Sequence, residues 1–373
     1  MKKIAIFSAA RSDFGILKNI IIAVEKNNKY HLNLIINSAH ISNKFGQTVN
    51  EIKEIKVKKK IYLKFRYKDS NPKNLIFYFN NILKEISNYI EINKPSTFII
   101  MGDRYEMLAC AFACLQYQLP IIHLCGGSIT LGSLDNIYRD SISKMSSLHL
   151  VESKFHKKRL NEIGIKKNIH IVGAPALENI TSIKMNSISN VIKEFNIKID
   201  LKKKTLIACF HPETNMNIKY NVNNLKKFLI FLRDRNENII FTYPNADHGF
   251  NKYIKEINFY LLKKNNCSII KSLGIKNYYT LLSNSDVLIG NSSSGMIESS
   301  SFKIPTINLG NRQKNRFHGK NVIHSSFELN DIKKSINKAL SKKFKKKMSK
   351  IKNPFFKKNT SKEIIKILNN YLK

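Results

Sequence analysis

The stretch Gly290-Asn291-Ser292-Ser293-Ser294-Gly295-Met296-Ile297-Glu298 gathers small side chains, hydroxyls and backbone N–H groups at one turn. An apolar run at 285–289 predicts a strand before it, and 296–302 predicts a helix after it, so the turn lies at a positive helix end. Such a turn can hold an anion, most naturally a phosphate or diphosphate. It can equally be an ordinary N-cap with surplus serines, Ser292, Ser293 and Ser294. Other residues with binding or proton-transfer chemistry fall at the ends of predicted strands. Arg11 lies in the small-residue loop 8–15 after a first strand at 3–7. Asp103 and Arg104 follow an apolar run at 97–101, where open α/β sheets place their sites. Adjacent residues at a strand end diverge, so this carboxylate and guanidinium can face different parts of a ligand. Asp135 and Arg139 stand one helical turn apart and can share a face. His211, Asn245 and Arg312 close further strands at 205–210, 238–243 and 305–309.

The elements that must position these residues alternate regularly. Strands are predicted at 3–7, 31–37, 61–65, 97–101, 120–123, 148–151 and 170–173. Helices are predicted at 16–26, 75–93, 107–115, 136–145 and 154–163, the second carrying apolar residues at 76, 79, 83, 86 and 90. This alternation with short connections argues for an α/β class built on a parallel, doubly wound sheet. A polar stretch, 183–203, reads as a linker with some helix. The pattern then restarts with strands at 205–210, 238–243 and 267–270 and helices at 223–233, 252–264 and 278–282. A basic helix is expected over 335–350 and an amphipathic one over 361–372. The expected division is an N-terminal Rossmann-like domain at 1–178, a C-terminal Rossmann-like domain at 179–353, and a C-terminal helix at 354–373 that packs back on the first. Two such domains facing across a cleft suit a nucleotide-sugar.

Composition narrows the function further. At 373 residues the chain exceeds a comfortable single core. Its apolar runs are far too short for a transmembrane helix. The run after Met1-Lys2-Lys3 stops at Ser8, shorter than a secretory segment, so a cytoplasmic protein without membrane partner is expected. Cys110, Cys114, Cys125, Cys209 and Cys267 form no CxxC pair, which argues for buried thiols and neither zinc nor disulfides. The net charge of +38 comes from 64 basic against 26 acidic residues. A polyanion-binding surface would produce such a balance, and so would a general use of lysine on solvated faces. The lysines are scattered and lack interleaved aromatics, so no specific nucleic-acid partner is expected.

Eight motifs in order carry a resemblance. They are Ala10-Arg11-Ser12-Asp13-Phe14-Gly15, Gly102-Asp103-Arg104-Tyr105-Glu106, His123 with Gly126-Gly127, and Leu134-Asp135-Asn136-Ile137-Tyr138-Arg139. Phe210-His211-Pro212-Glu213-Thr214, Tyr243-Pro244-Asn245, the serine loop, and Gly310-Asn311-Arg312-Gln313 follow. The chain resembles the hydrolysing UDP-N-acetylglucosamine 2-epimerases of sialic acid biosynthesis over nearly its whole length. The resemblance implies the GT-B architecture, two Rossmann-like domains with the site between them. It implies conversion of UDP-N-acetylglucosamine and water to N-acetylmannosamine and UDP, through a 2-acetamidoglucal and with no cofactor.

What the resemblance implies for single residues follows its motifs. Arg11, Ser292, Ser293, Ser294, Glu298 and Arg312 match the UDP clamp, with Arg104, His123 and Asn245 as further substrate contacts. Asp103, Asp135, Arg139 and His211 match positions around the reacting sugar, the two carboxylates as acid and base. A homodimer or homotetramer is implied. Where relatives read His-Ile-Glu-Gly-Gly-Glu or His-Ile-His-Gly-Gly-Glu, this chain has His123-Leu124-Cys125-Gly126-Gly127-Ser128, with neither glutamate. Two alternatives therefore stand beside the first reading. One is the same reaction on a nucleotide-linked 2,4-diacetamido-2,4,6-trideoxyhexose, as in legionaminic-type pathways. The other is a nucleotide-sugar-binding relative without turnover.

Overall fold

The computed structural model describes residues 1–41, 49–65, 71–244 and 248–373. The chain forms two compact units. Unit 1 comprises Met1–Ser128, Asp135–Asn179 and Phe355–Lys373, and unit 2 comprises Ile129–Leu134 and Ile180–Pro354. A division at 178 does not capture the excursion Ile129–Leu134.

Unit 1 holds the parallel strands β1 (Lys2–Ser8), β2 (Tyr30–Ile36), β3 (Lys59–Tyr62), β4 (Thr97–Met101), β5 (Ile121–Leu124), β6 (Leu148–Val151) and β7 (Ile169–Ile171), in the order β3-β2-β1-β4-β5-β6-β7. Ile4 to Phe7 are all fully buried because both faces of the sheet are covered. The period of two divides them. Ile4 and Ile6 meet Leu17, Ile20, Ile21 and Val24 of the helix Arg11–Glu25 and Ile364 and Leu368 of the helix Thr360–Tyr371. Ala5 and Phe7 meet Ile82 and Ile86 of the helix Pro72–Asn93 and Met107, Cys110 and Cys114 of the helix Tyr105–Gln116. The last helix thus completes one face of the first sheet. Burial holds the Cys110 thiol well above its ordinary pKa, in keeping with a core role.

Unit 2 repeats the plan with β8 (Thr205–Cys209), β9 (Asn238–Thr242), β10 (Cys267–Ile270), β11 (Val287–Gly290), β12 (Thr306–Leu309) and β13 (Val322–Ser325), in the order β10-β9-β8-β11-β12-β13. The direction of strand order reverses between β1 and β4 in unit 1 and between β8 and β11 in unit 2. These reversals are the switch points at which Rossmann-type sheets open a crevice beyond their carboxyl ends.

Several local expectations are corrected. The first helix starts at Arg11 instead of after Gly15, because the Asp13 carboxylate accepts the N–H groups of Ala9 (2.6 Å) and Ala10 (2.9 Å) and so caps it. The basic segment 335–350 is two helices, Leu329–Leu340 and Lys342–Met348, because the Ser341 side chain accepts from Phe344 N and starts a new one. The polar stretch 183–203 contributes to the core: Val191 and Ile197 are buried with Ile207, Ile240 and Leu281. The short edge strand β13 had no counterpart in the sequence reading. No described helix is long and apolar enough to cross a membrane.

Candidate functional site

At the switch point of unit 1, the chain leaves β4 through Gly102 and presents Asp103. The Asp103 side chain is 27% exposed and forms an ion pair with Arg139, which is 1% exposed on the helix Asp135–Met145. A second Arg139 N–H reaches the Ser128 carbonyl at 2.9 Å. The guanidinium thus joins the end of β4, the loop after β5 and the next helix. Arg104 turns the other way and pairs with the buried Glu106 at 2.9 Å, so the two neighbours diverge. Asp135 is the first residue of its helix, a favourable place for a carboxylate.

His123, expected among substrate contacts, is fully buried and has both ring nitrogens engaged. Nε2 lies 2.8 Å from the Gly102 carbonyl, which can only accept, so Nε2 carries the proton. Burial, ahead of nearby His149 and Arg139, lowers its pKa to about 3, so the ring is neutral and Nδ1 accepts from Ser143 Oγ at 3.0 Å. His123 therefore works as a strut from the end of β4 to the helix that carries Arg139. Ser128 is 2% exposed, and its hydroxyl has no hydrogen-bond partner among the described residues.

Beside this cluster lies one that the sequence reading missed. Ser8 Oγ stands 3.0 Å from His40 Nε2 and 3.4 Å from Asp13, and all of them are buried. Burial raises Asp13 to about 6, opposed by its two backbone N–H bonds and by Arg104. Burial lowers His40 to about 4. An aspartate at the third helical position is the sequence signal for the cap, whereas His40 carries no local signal. Arg11 is the first residue of the helix that this cap starts.

In unit 2 the serine loop leaves β11 at Gly290. A β-carbon there would fall on the Cys209 carbonyl, so only glycine fits. Ser292 caps a short helix, Ser293–Ile297, that passes into a 3-10 turn, Ser299–Phe302, in place of the continuous helix expected over 296–302. Ser294 Oγ lies 2.7 Å from the Tyr278 hydroxyl, which places it in the wall of the loop. Glu298 accepts from Tyr279 OH at 2.5 Å, and burial raises its pKa against bonds from Ser294 and Tyr279. His211 sits just beyond β8, its Nε2 3.3 Å from Cys209 Sγ. Arg312 donates to the Asn291 carbonyl at 3.3 Å. Glu213 accepts from Asn311 N at 2.8 Å; burial raises its pKa, opposed by the N–H groups of Asn311 and Arg312 and by the Arg312 charge. Asn245 lies outside the described residues.

The structure thus brings Asp103, Arg139 and His123 together in unit 1, and His211, the serine loop and Arg312 together in unit 2. Missing from the sequence reading were Glu213, Tyr278 and Tyr279, and any role for Asn291 within its motif. The excursion Ile129–Leu134 docks beside Arg312: Thr214 Oγ1 accepts from Leu134 N at 3.0 Å, and a β-carbon on Gly132 would stand 2.5 Å from the Asn311 carbonyl. Among the described residues, no group of three or more His, Cys, Asp or Glu side chains could hold a metal ion.

Two Rossmann-ordered sheets, each with polar residues at its switch point, place the chain in the two-domain GT-B class. The fold matches that of UDP-GlcNAc 2-epimerase from Neisseria meningitidis bound to UDP-GlcNAc, with a TM-score of 0.83 at 18% identity over 99% of this chain and all of the other. The family model described as UDP-N-acetylglucosamine 2-epimerase matches residues 22–369, and the chain belongs to that family. It is 37% identical, over 92% of its length and 89% of the other, to the GDP/UDP-N,N'-diacetylbacillosamine 2-epimerase (hydrolyzing) of Campylobacter jejuni. It is 30% identical, over 91% of its length and 88% of the other, to a UDP-N-acetylglucosamine 2-epimerase of Neisseria meningitidis serogroup B.

Proposed function

We propose that this chain is a hydrolysing 2-epimerase that acts on a UDP-linked 2-acetamido sugar. The observation that carries the reading is the partly exposed Asp103 carboxylate, fixed by the buried Arg139 at the switch point of unit 1. Asp103 and Asp135 serve as the acid/base carboxylates. One removes the proton at carbon 2 as the bond from carbon 1 to the UDP oxygen breaks, leaving a 2-acetamidoglucal and free UDP. Water then adds its oxygen to carbon 1, and carbon 2 is reprotonated on the opposite face, giving the manno-configured sugar. His211 donates a hydrogen bond or transfers a proton at the reacting sugar, and Arg139 holds Asp103. Arg11, Arg104, Ser292, Ser293 and Arg312 neutralise the departing diphosphate, and Glu298 accepts from the ribose hydroxyls.

For the sugar, the higher identity to the Campylobacter protein supports a 2,4-diacetamido-2,4,6-trideoxyhexose. The Neisseria relative and the family description support N-acetylglucosamine as the second reading. The enzyme is proposed to be a cytoplasmic homo-oligomer with no cofactor and no nucleic-acid partner.

The test is to incubate the protein with each UDP-sugar in deuterium oxide and follow UDP release and carbon 2 labelling by NMR. A deuterated manno product from one sugar supports the reading and names the substrate. UDP binding without release from either sugar sinks it.

A further inference from the structure

Asn291 is 1% exposed and spends its whole side-chain amide on one residue. Its Oδ1 accepts the backbone N–H of His211 at 2.7 Å, and its Nδ2 donates to the His211 carbonyl at 2.8 Å. The partner atoms fix the amide orientation, since an N–H can only donate and a carbonyl can only accept. The main-chain carbonyl of Asn291 goes elsewhere. It accepts from Arg312 Nη1 at 3.3 Å and from Nε2 of the fully buried Gln313 at 3.0 Å. One residue therefore divides its groups between His211 and the Arg312 segment. The division is chemical as well as spatial: substitution removes the side-chain amide and leaves the carbonyl in place.

We propose that Asn291 is a positioning residue that sets the imidazole of His211 in register with the serine loop and Arg312. The inference rests on the function proposed above, in which His211 acts at the reacting sugar. His211 lies two residues past the end of β8, whose paired register ends at Cys209. There the Asn291 amide bonds both the N–H and the carbonyl of His211, as a neighbouring strand would. The ring is then oriented by Cys209 Sγ at Nε2. A small displacement at such a group costs far more in turnover than in binding.

The test compares Asn291→Ala and Asn291→Asp with the native protein in three measurements. Turnover of the accepted UDP-sugar is expected to fall on the order of 100-fold in Asn291→Ala. Asn291→Asp keeps the acceptor for His211 N–H but sets a carboxylate against the His211 carbonyl, and is expected to fall between the two. The dissociation constant for UDP is expected to stay within about 3-fold, because the carbonyl that meets Arg312 is retained. Added to His211→Gln, Asn291→Ala is expected to lower turnover by less than about 3-fold more, since its effect runs through that ring.

The third measurement does not need turnover. The imidazole resonance of His211, assigned by its loss in His211→Gln, is expected to shift in Asn291→Ala at constant pH. Parallel loss of UDP affinity and turnover, full multiplicativity with His211→Gln, or an unmoved His211 resonance overturns the proposal. If the native protein releases UDP from no sugar, the proposed function falls by itself, and the His211 resonance still decides the role of Asn291. Should Asn291→Ala not fold, Asn291→Asp carries the same comparisons.

Discussion

The two switch points are built from different materials. In unit 1, charged groups hold the site: Arg139 pairs with Asp103 and also bonds the Ser128 carbonyl, and Arg104 pairs with Glu106. In unit 2, amides and hydroxyls hold it, through Asn291, Ser294, Tyr278 and Tyr279, with a glutamate at each end of the network, the buried Glu213 and the part-buried Glu298. The buried titratable groups differ as well. Unit 1 holds His40, His123 and His149, all pushed down by burial, against Asp13 and Asp140 pushed up. In unit 2 burial pushes up the buried Glu213 and the part-buried Glu298, while bonds to Lys345 and Arg235 hold the part-buried Asp286 and Glu237 down against burial. Charge suits a place where protons must move, whereas neutral donors suit a place that must hold and release an anion.

The largest effect should come from breaking the ion pair in unit 1. Arg139→Ala leaves Asp103 and the Ser128 carbonyl without the buried guanidinium. It should cost about 3 kcal/mol of unfolding free energy, measured by urea titration, and abolish turnover. The matching change in unit 2, Arg312→Ala, should cost under about 1 kcal/mol, because Arg312 is half-buried and its neighbours remain bonded. It should instead weaken UDP binding by about 10-fold or more, as loss of a charged hydrogen bond does. Equal stability losses in the two variants would erase the distinction.

Acid should separate the units next. The buried histidines of unit 1 have folded pKa values of about 4 for His40 and His149 and about 3 for His123, below the ordinary 6.5. The unfolded chain binds protons there first, so their stabilising effect is present above 6.5 and is lost as pH falls toward 4. Asp13 works the other way, since its folded pKa of about 6 lets the native state take up a proton before the unfolded chain does. With these set against each other, and Asp140 raised as well, unit 1 should lose about 2 kcal/mol per pH unit near pH 5. In unit 2 the raised Glu213 and Glu298 take up protons first in the folded state, whereas the lowered Asp286 and Glu237 lose their stabilising effect in acid, so the two kinds of group offset each other and that unit should respond less steeply. Hydrogen exchange at pH 5 should show unit 1 opening first. Uniform opening of both units would refute this, and Asp13→Asn should steepen the acid loss in unit 1.

What the sequence made legible follows the same physics. Strands buried on both faces read directly, and 97–101, 148–151 and 267–270 coincide with Thr97–Met101, Leu148–Val151 and Cys267–Ile270. Helix starts were misplaced where a polar side chain sets them, as Asp13 does for Arg11 and as Asn217 does for Ile218. Strand-end position drew attention to Asp103 and Arg312, because a charge beyond a buried strand stands out, and helical spacing from Asp135 drew it to Arg139. The network around His211 stayed hidden because its partners lie far apart in the chain, eighty positions in the case of Asn291. For His123, which the resemblance placed among the substrate contacts, the sequence could not show that both ring nitrogens are engaged, by the distant Gly102 carbonyl and Ser143 hydroxyl.

Two serine-to-alanine changes sharpen the comparison at smaller scale. Ser299 in unit 2 is fully buried, donates to the Gly295 carbonyl at 2.7 Å, and accepts from Asn321 Nδ2 at 2.7 Å and Thr306 Oγ1 at 2.8 Å. Removing that hydroxyl leaves buried partners unpaired and should cost about 2 kcal/mol in thermal or urea unfolding.

Ser128 in unit 1 should give the smallest effect and the opposite sign. Its hydroxyl is buried without a partner among the described residues, so Ser128→Ala removes a desolvated group and leaves intact the backbone carbonyl that binds Arg139. Unfolding free energy should be unchanged or rise by about 0.5 kcal/mol. Turnover then decides what the hydroxyl is for, at a position where the resemblance implies a glutamate. If stability holds and kcat/KM falls, the hydroxyl meets the sugar, and the charged cluster of unit 1 contains a neutral binding group. If neither changes, the acid/base work rests on Asp103 and Asp135 without help from position 128. A clear loss of stability would show that Ser128 is bonded in solution and would remove the contrast with Ser299.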